Sequence, residues 1–161
     1  MRNKIDIYNK SSRILCWILF TMVLTVVILI RLRLLGFPLE RDEGEYAYMG
    51  QLMLQGIPPY KLAYTMKFPG TAAAYALFMS IFGQTTTGVH FGLLFVNLLT
   101  VALLFFPGRR LLNEIGGIVA AATYAVLSLM PYVLGLAAHA THFVVLPALA
   151  GALRLLRPPN R

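Results

Sequence analysis

Four of the six carboxylates in this 161-residue chain, Glu40, Asp42, Glu43 and Glu45, fall within six consecutive positions directly after a long apolar run. Ionised groups beside a bilayer are costly to hold there, so such a cluster is kept for binding, proton transfer or coordination. Asp42 could remove a proton from an attacking hydroxyl, with Glu43 or Glu45 assisting. Glu43 or Glu45 could help hold a divalent cation through hard oxygen ligands, although nothing in the sequence requires a metal or another cofactor. The same stretch also fits a helix start: Asp42 can accept from the amide near position 45, and Glu43 adds a favourable charge at the positive end of the helix dipole. Capping accounts for one or two of these acids and leaves the others unexplained.

Lys67 lies in the turn-forming stretch Tyr64-Thr65-Met66-Lys67-Phe68-Pro69-Gly70. Its ammonium could hold a phosphate as a point charge, with Arg41 or Lys61 as helpers, or it could simply snorkel from the interface. His139 and His142 stand three apart, a helical spacing that could bring two imidazoles onto one metal or substrate; two histidines alone make a weak metal signal, and interfacial neutral histidines fit equally. His90 is more weakly placed still. Tyr46, Tyr48, Tyr60, Tyr64 and Tyr75 read as an interfacial aromatic belt, with sugar stacking as the functional alternative for a residue such as Tyr60.

The elements that must position these residues are membrane elements. Hydrophobic residues make up 58% of the chain and charged residues 12%, with a mean hydropathy of +0.72, which excludes an ordinary soluble domain. The net charge of +8 comes from basic residues scattered at the ends of apolar segments, so a nucleic-acid surface is excluded and topology signals are indicated. A lone Cys16 inside the first apolar run provides neither disulfide framework nor metal spacing.

The seventeen uncharged residues from Ile14 to Ile30 predict a first spanning helix over about 14–35, with the basic leader Arg2, Lys4, Lys10 and Arg13 marking an uncleaved signal anchor. An interfacial helix over 42–55 follows, with Tyr46, Met49, Met53 and Leu54 on its apolar side. Pro69–Phe82, fourteen residues, is too short to cross comfortably and reads as a re-entrant or membrane-surface helix. Further spans over about 88–107, 114–131 and 140–156 return Arg109-Arg110 and Arg154, Arg157 and Arg161 to the side of the basic amino terminus. The expectation is therefore an all-α polytopic membrane bundle with four spans, both termini cytoplasmic, and a long outside loop over 36–87 carrying two short helices. No internal repeat, low-complexity linker or soluble domain is visible.

The ordered series Asp42-Glu43-Gly44-Glu45-Tyr46-Ala47-Tyr48, Gln51 to Tyr60, Lys67-Phe68-Pro69-Gly70 and Phe82-Gly83, behind a basic leader and a first span, resembles the amino-terminal part of the GT-C membrane glycosyltransferases. The similarity is to the bacterial group that resembles protein O-mannosyltransferases and the lipid A aminoarabinose transferase. It implies transfer of a sugar from a polyprenyl-phosphate carrier on the outer side of the cytoplasmic membrane. It also implies that Asp42 is the catalytic base and that Lys67 lies near the donor phosphate, with Glu43, Glu45, Arg41, Tyr60, His139 and His142 as further site candidates. The chain departs from these relatives at Phe68, where they carry a proline, at Met66, often acidic in them, and at His142, near which they often carry an acid. Such enzymes continue through more spanning helices, so the implied partners are the donor, the bilayer, and remaining helices or a partner subunit. The rival readings are a non-catalytic fragment or accessory subunit, and a small transporter, for which mid-span polar residues (Asn97, Thr100, Thr123, Ser128) are few.

Overall fold

The computed structural model describes residues 2–156, with side chains from residue 11 onward; the leader side chains Arg2, Lys4 and Lys10 and the terminal arginines Arg157 and Arg161 lie outside the described residues. The described residues form an all-helical membrane bundle of α1 (Arg2–Arg33), α2 (Arg41–Leu54), α3 (Gly70–Phe82), α4 (Thr86–Leu111), α5 (Glu114–Leu127) and α6 (Ala140–Leu155), with a 3-10 turn at Pro131–Val133. Two stretches are long and apolar enough to cross a membrane, Ser11–Arg33 in α1 and the whole of α4. The 14 residues of α5 and 16 of α6 correspond to about 21 and 24 Å at 1.5 Å per residue, short of a hydrocarbon core of about 30 Å. The region expected as one third span, 114–131, is thus a shorter helix followed by a turn.

α4 is the centre of the bundle, in contact with α5, α6 and α3, while α1 leans on α5 and presents most of its apolar surface outward. Two core clusters result. One joins Val27 of α1, Val101 of α4, and Ala121 and Ala125 of α5. The other joins Tyr46 and Ala47 of α2, Tyr75 and Met79 of α3, Val89 and Leu93 of α4, and Ala138. Small residues set the approach of α4 to α5: a Cβ on Gly108 would lie 2.9 Å from the Gly117 Cα. In lipid, such close backbone packing replaces the hydrophobic drive that water supplies elsewhere.

The bundle has two distinct ends. At one, Arg13 pairs with Glu114, which also accepts from Trp17 Nε1 at 2.9 Å. At the other, Arg31 reaches from the last turns of α1 to the carbonyls of Ser128 (2.6 Å) and Gly135 (2.8 Å) and to Ser128 Oγ (3.1 Å). This buried guanidinium fixes the segment after α5, where Leu134 turns through a left-handed φ of 50°. Gly135 is required beside it, because a Cβ there would meet the Ser128 carbonyl oxygen at 2.1 Å. The acidic segment, the start of α4 and the start of α6 all gather at this second end.

Candidate active site

α2 begins with a capping box, and its members differ from the expected ones. Glu40 is the cap: its carboxylate accepts from the Asp42 amide at 2.9 Å, while Glu43 returns a bond to the Glu40 amide, also at 2.9 Å. Asp42 is therefore free of the capping task.

The buried side of α2 is only partly the expected one. Tyr46 and Met49 are buried as expected, Glu43, Ala47, Gly50 and Leu52 are buried with them, and Leu54 is 40% exposed. Gly50 decides this face: a Cβ on it would lie 2.7 Å from Met79 Cε and 3.0 Å from the Ala76 amide. Only that side of α2 can close onto α3. Glu43 is carried into the core by this packing, at 1% exposure.

There Glu43 Oε1 accepts from the Ala138 amide at 2.5 Å and meets His90 Nε2 at 3.1 Å, while His90 Nδ1 faces the Leu35 carbonyl at 3.0 Å. Both ring nitrogens of His90 are engaged, one by the Glu43 carboxylate and the other by the Leu35 carbonyl, so the pair is buried and fully partnered. Burial alone would raise the Glu43 pKa, but the bonds from His90 and from the Glu40 and Ala138 amides outweigh it and hold it below the ordinary value. Glu43, a sequence candidate for catalysis, uses Oε1 to tie α2 to α4 and to the loop before α6 and Oε2 to accept from the Glu40 amide. Tyr75 strengthens the tie by donating to the Ala138 carbonyl at 2.9 Å. Tyr46 and Tyr75 are thus core residues at 3% and 0% exposure, not members of a surface belt.

Asp42 and Glu45 face the other way. Lys67 Nζ stands 3.2 Å from Asp42 Oδ2 and 3.0 Å from Glu45 Oε2, with its cation 4.6 Å from the Tyr46 ring centroid. His139 Nε2 is 3.5 Å from the same Asp42 oxygen, and Arg41 is 3.6 Å from the other. Hydrogen bonding from Lys67 lowers the Asp42 pKa, and hydrogen bonds from Thr65 and then Lys67 lower that of Glu45. Desolvation opposes the Lys67 charge, but Glu45 and Asp42 outweigh it and raise the Lys67 pKa. All three groups are charged near neutrality and remain partly exposed.

The segment that delivers Lys67 is held locally. Tyr60 donates from its hydroxyl to the Lys67 carbonyl at 2.9 Å, and its own backbone is in the left-handed region at φ 70°, a strained state for a side-chain-bearing residue of the kind found beside functional sites. His139 and His142 diverge: His139 precedes α6 and faces Asp42, whereas buried His142 turns to the Leu134 carbonyl at 3.2 Å. Among the described residues no group of three His, Cys, Asp or Glu side chains is arranged to hold a metal ion. The structure thus assembles Asp42, Glu45, Lys67, Arg41, Tyr60 and His139, leaves His142 aside, and adds His90, Thr65 and the Ala138 amide. An ionisable side chain early in an apolar span was the available signal for His90.

Residues 66–157 match the family model of the dolichyl-phosphate-mannose-protein mannosyltransferases. The chain belongs to this family. It is accordingly a membrane glycosyltransferase-like protein. The matched stretch contains Lys67, His90 and His139 and begins after the acidic segment, so the carboxylates meet it through space. No curated protein and no solved structure matches the chain.

Proposed function

We propose that this chain carries part of the active site of a glycosyltransferase that moves a sugar from a polyprenyl-phosphate donor to an acceptor hydroxyl on the outer side of the cytoplasmic membrane. The carrying observation is the pairing of Asp42 with Lys67, a candidate base beside a cation, in a member of a mannosyltransferase family. Sidedness is supported by Arg13, Arg109 and Arg110, which lie at the end of the bundle away from the acidic segment 40–45, as the positive-inside rule asks. Four crossings follow if α5 and α6 cross with local thinning of the bilayer, the usual response to short helices.

The chemistry is a displacement at the anomeric carbon. The donor phosphate exchanges with Asp42 as a partner of Lys67, which leaves Asp42 open to the acceptor hydroxyl while Glu45 keeps its contact with Lys67. Asp42 takes the hydroxyl proton as the acceptor oxygen bonds to the anomeric carbon. The carbon–oxygen bond to the phosphate breaks, its electron pair stays on the phosphate, and Lys67 stabilises that charge with Arg41 nearby. His139 and Glu45 hold Asp42 and Lys67 in place, and Glu43 holds the helix that carries Asp42.

The test is donor turnover by membranes containing the complete gene product, using defined polyprenyl-phosphate sugars. Lys67→Gln should reduce turnover by roughly 10²-fold, as loss of a charge-stabilising group does. Lys67→Arg should recover part of it, since a planar fork replaces a point charge imperfectly. Equal turnover in all three proteins would remove Lys67 from the site.

A further inference from the structure

Residues 64–68 alternate in direction. Tyr64, Met66 and Phe68 are 92%, 92% and 91% exposed, whereas between them Thr65 and Lys67 are half-buried, Thr65 Oγ1 accepting from the Lys67 amide and Lys67 pairing with Asp42 and Glu45. The segment is therefore a strap with a charged inner edge on the carboxylates and an outer edge of three large, mostly apolar side chains. Among the described residues nothing covers that outer edge. Contiguous apolar surface of this kind marks a contact with another phase or molecule.

We propose that the outer edge of the strap contacts the membrane, with Tyr64, Met66 and Phe68 seated in the headgroup and upper acyl layer and Lys67 consequently held at the level of lipid phosphates. The depth follows from the bonds that fix the inner edge. Lys67 is pinned to Asp42, the neighbour of Glu43, and Glu43 pairs with His90. His90 is four residues after the start of α4 at Thr86, about 6 Å along the helix, and its other nitrogen meets Leu35, just past the end of the α1 span at Arg33. The strap is thus moored at the rim of the two helices that are long enough to cross. Its neighbours fit the same surface: Leu62 is 59% exposed, and the Arg41 side chain is 92% exposed, available to anionic headgroups together with Lys61. A tyrosine at the edge of such a patch is the usual headgroup-level residue.

This inference rests on the proposed function for what Lys67 would receive there, a lipid-linked phosphate, but the strap's depth can be read without any turnover. Met66→Cys and Phe68→Cys, each in a Cys16→Ser chain, are spin-labelled and reconstituted into vesicles of phosphatidylethanolamine and phosphatidylglycerol. Both replaced side chains are more than nine-tenths exposed, so no packing is lost. Collision with oxygen, which concentrates in the bilayer, should exceed collision with a water-soluble nickel chelate at both positions. The reverse order at either position would put the strap in water and overturn the proposal. Low access to both reagents would also overturn it, because protein, such as a second copy or further helices, would then cover the edge. Absence of donor turnover in the unlabelled parent protein with the oxygen preference intact would count against the proposed function and leave the membrane contact standing.

Discussion

Asp42 lies on the open side of α2, its carboxylate one fifth exposed among Lys67, His139 and Arg41. Glu43, one residue and about 100° further round the helix, is sealed in the core among His90 and two backbone amides. The two acids have nearly the same chemistry and different tasks, and the difference is made by Gly50 and Ala47, which choose the face of α2 that can approach α3. A carboxylate whose oxygens are filled by fixed donors is a fastener. One whose partners are a lysine, a histidine and solvent is open to exchange, as the proposed function requires.

The comparison breaks most visibly on the buried side. Removing one partner of a buried, hydrogen-bonded ion pair costs about 3–5 kcal/mol, so Glu43→Ala should lower the stability of the detergent-solubilised protein by about that much. Thermal unfolding measures it, and a change under about 1 kcal/mol would mean that the His90 contact and the Ala138 bond are not what ties α2 to the bundle.

The open side should respond chiefly to pH. Asp42 and Glu45 sit below their ordinary values of 3.8 and 4.5, so their contribution is complete above those values and is lost as pH falls through the lowered ones. Lys67 is raised from 10.5, so its contribution is complete below that value and is lost only as pH rises past the raised one. Protection of the strap from hydrogen exchange should therefore be level from about pH 5 to about pH 10 and fall below about pH 4. A step between about pH 5 and pH 8 would show that the carboxylates and Lys67 are not what holds the strap.

The smallest effect belongs to Tyr60→Phe. It deletes one partly exposed hydrogen bond to the Lys67 carbonyl and should change stability by less than about 1 kcal/mol. A larger loss in thermal unfolding would make the strap as rigid as the core and blur the contrast between the two sides.

Much of this was legible in the sequence. The apolar runs yield helices where their length and their Gly and Pro boundaries suggest, and the acid-rich segment does open a helix beside Lys67. The pairing across the chain was not legible, because no local period encodes it. Glu43 meets His90 47 positions away and Ala138 95 positions away. The buried stripe of α2 depends on two small residues that a search for large apolar ones passes over. The cap falls on Glu40, outside the residues that usually cap, because Glu43 can answer it reciprocally. α5 stops at Leu127, four residues before Pro131, where Arg31 takes the Ser128 and Gly135 carbonyls. A long-range donor can close a helix end where no local breaker stands.

The division between the two faces of α2 is tested most directly by comparing Asp42→Asn with Glu43→Gln in the complete gene product, with sugar transfer measured per folded molecule and thermal unfolding followed in parallel. Asp42→Asn should lose roughly 10²-fold in transfer, the scale of a missing general base, with the unfolding temperature nearly unchanged. Glu43→Gln should unfold at lower temperature while its folded fraction transfers at close to the original rate. An active Asp42→Asn, or a Glu43→Gln protein that is fully folded and inactive, would contradict the assignment of chemistry to the open face and of fastening to the buried one.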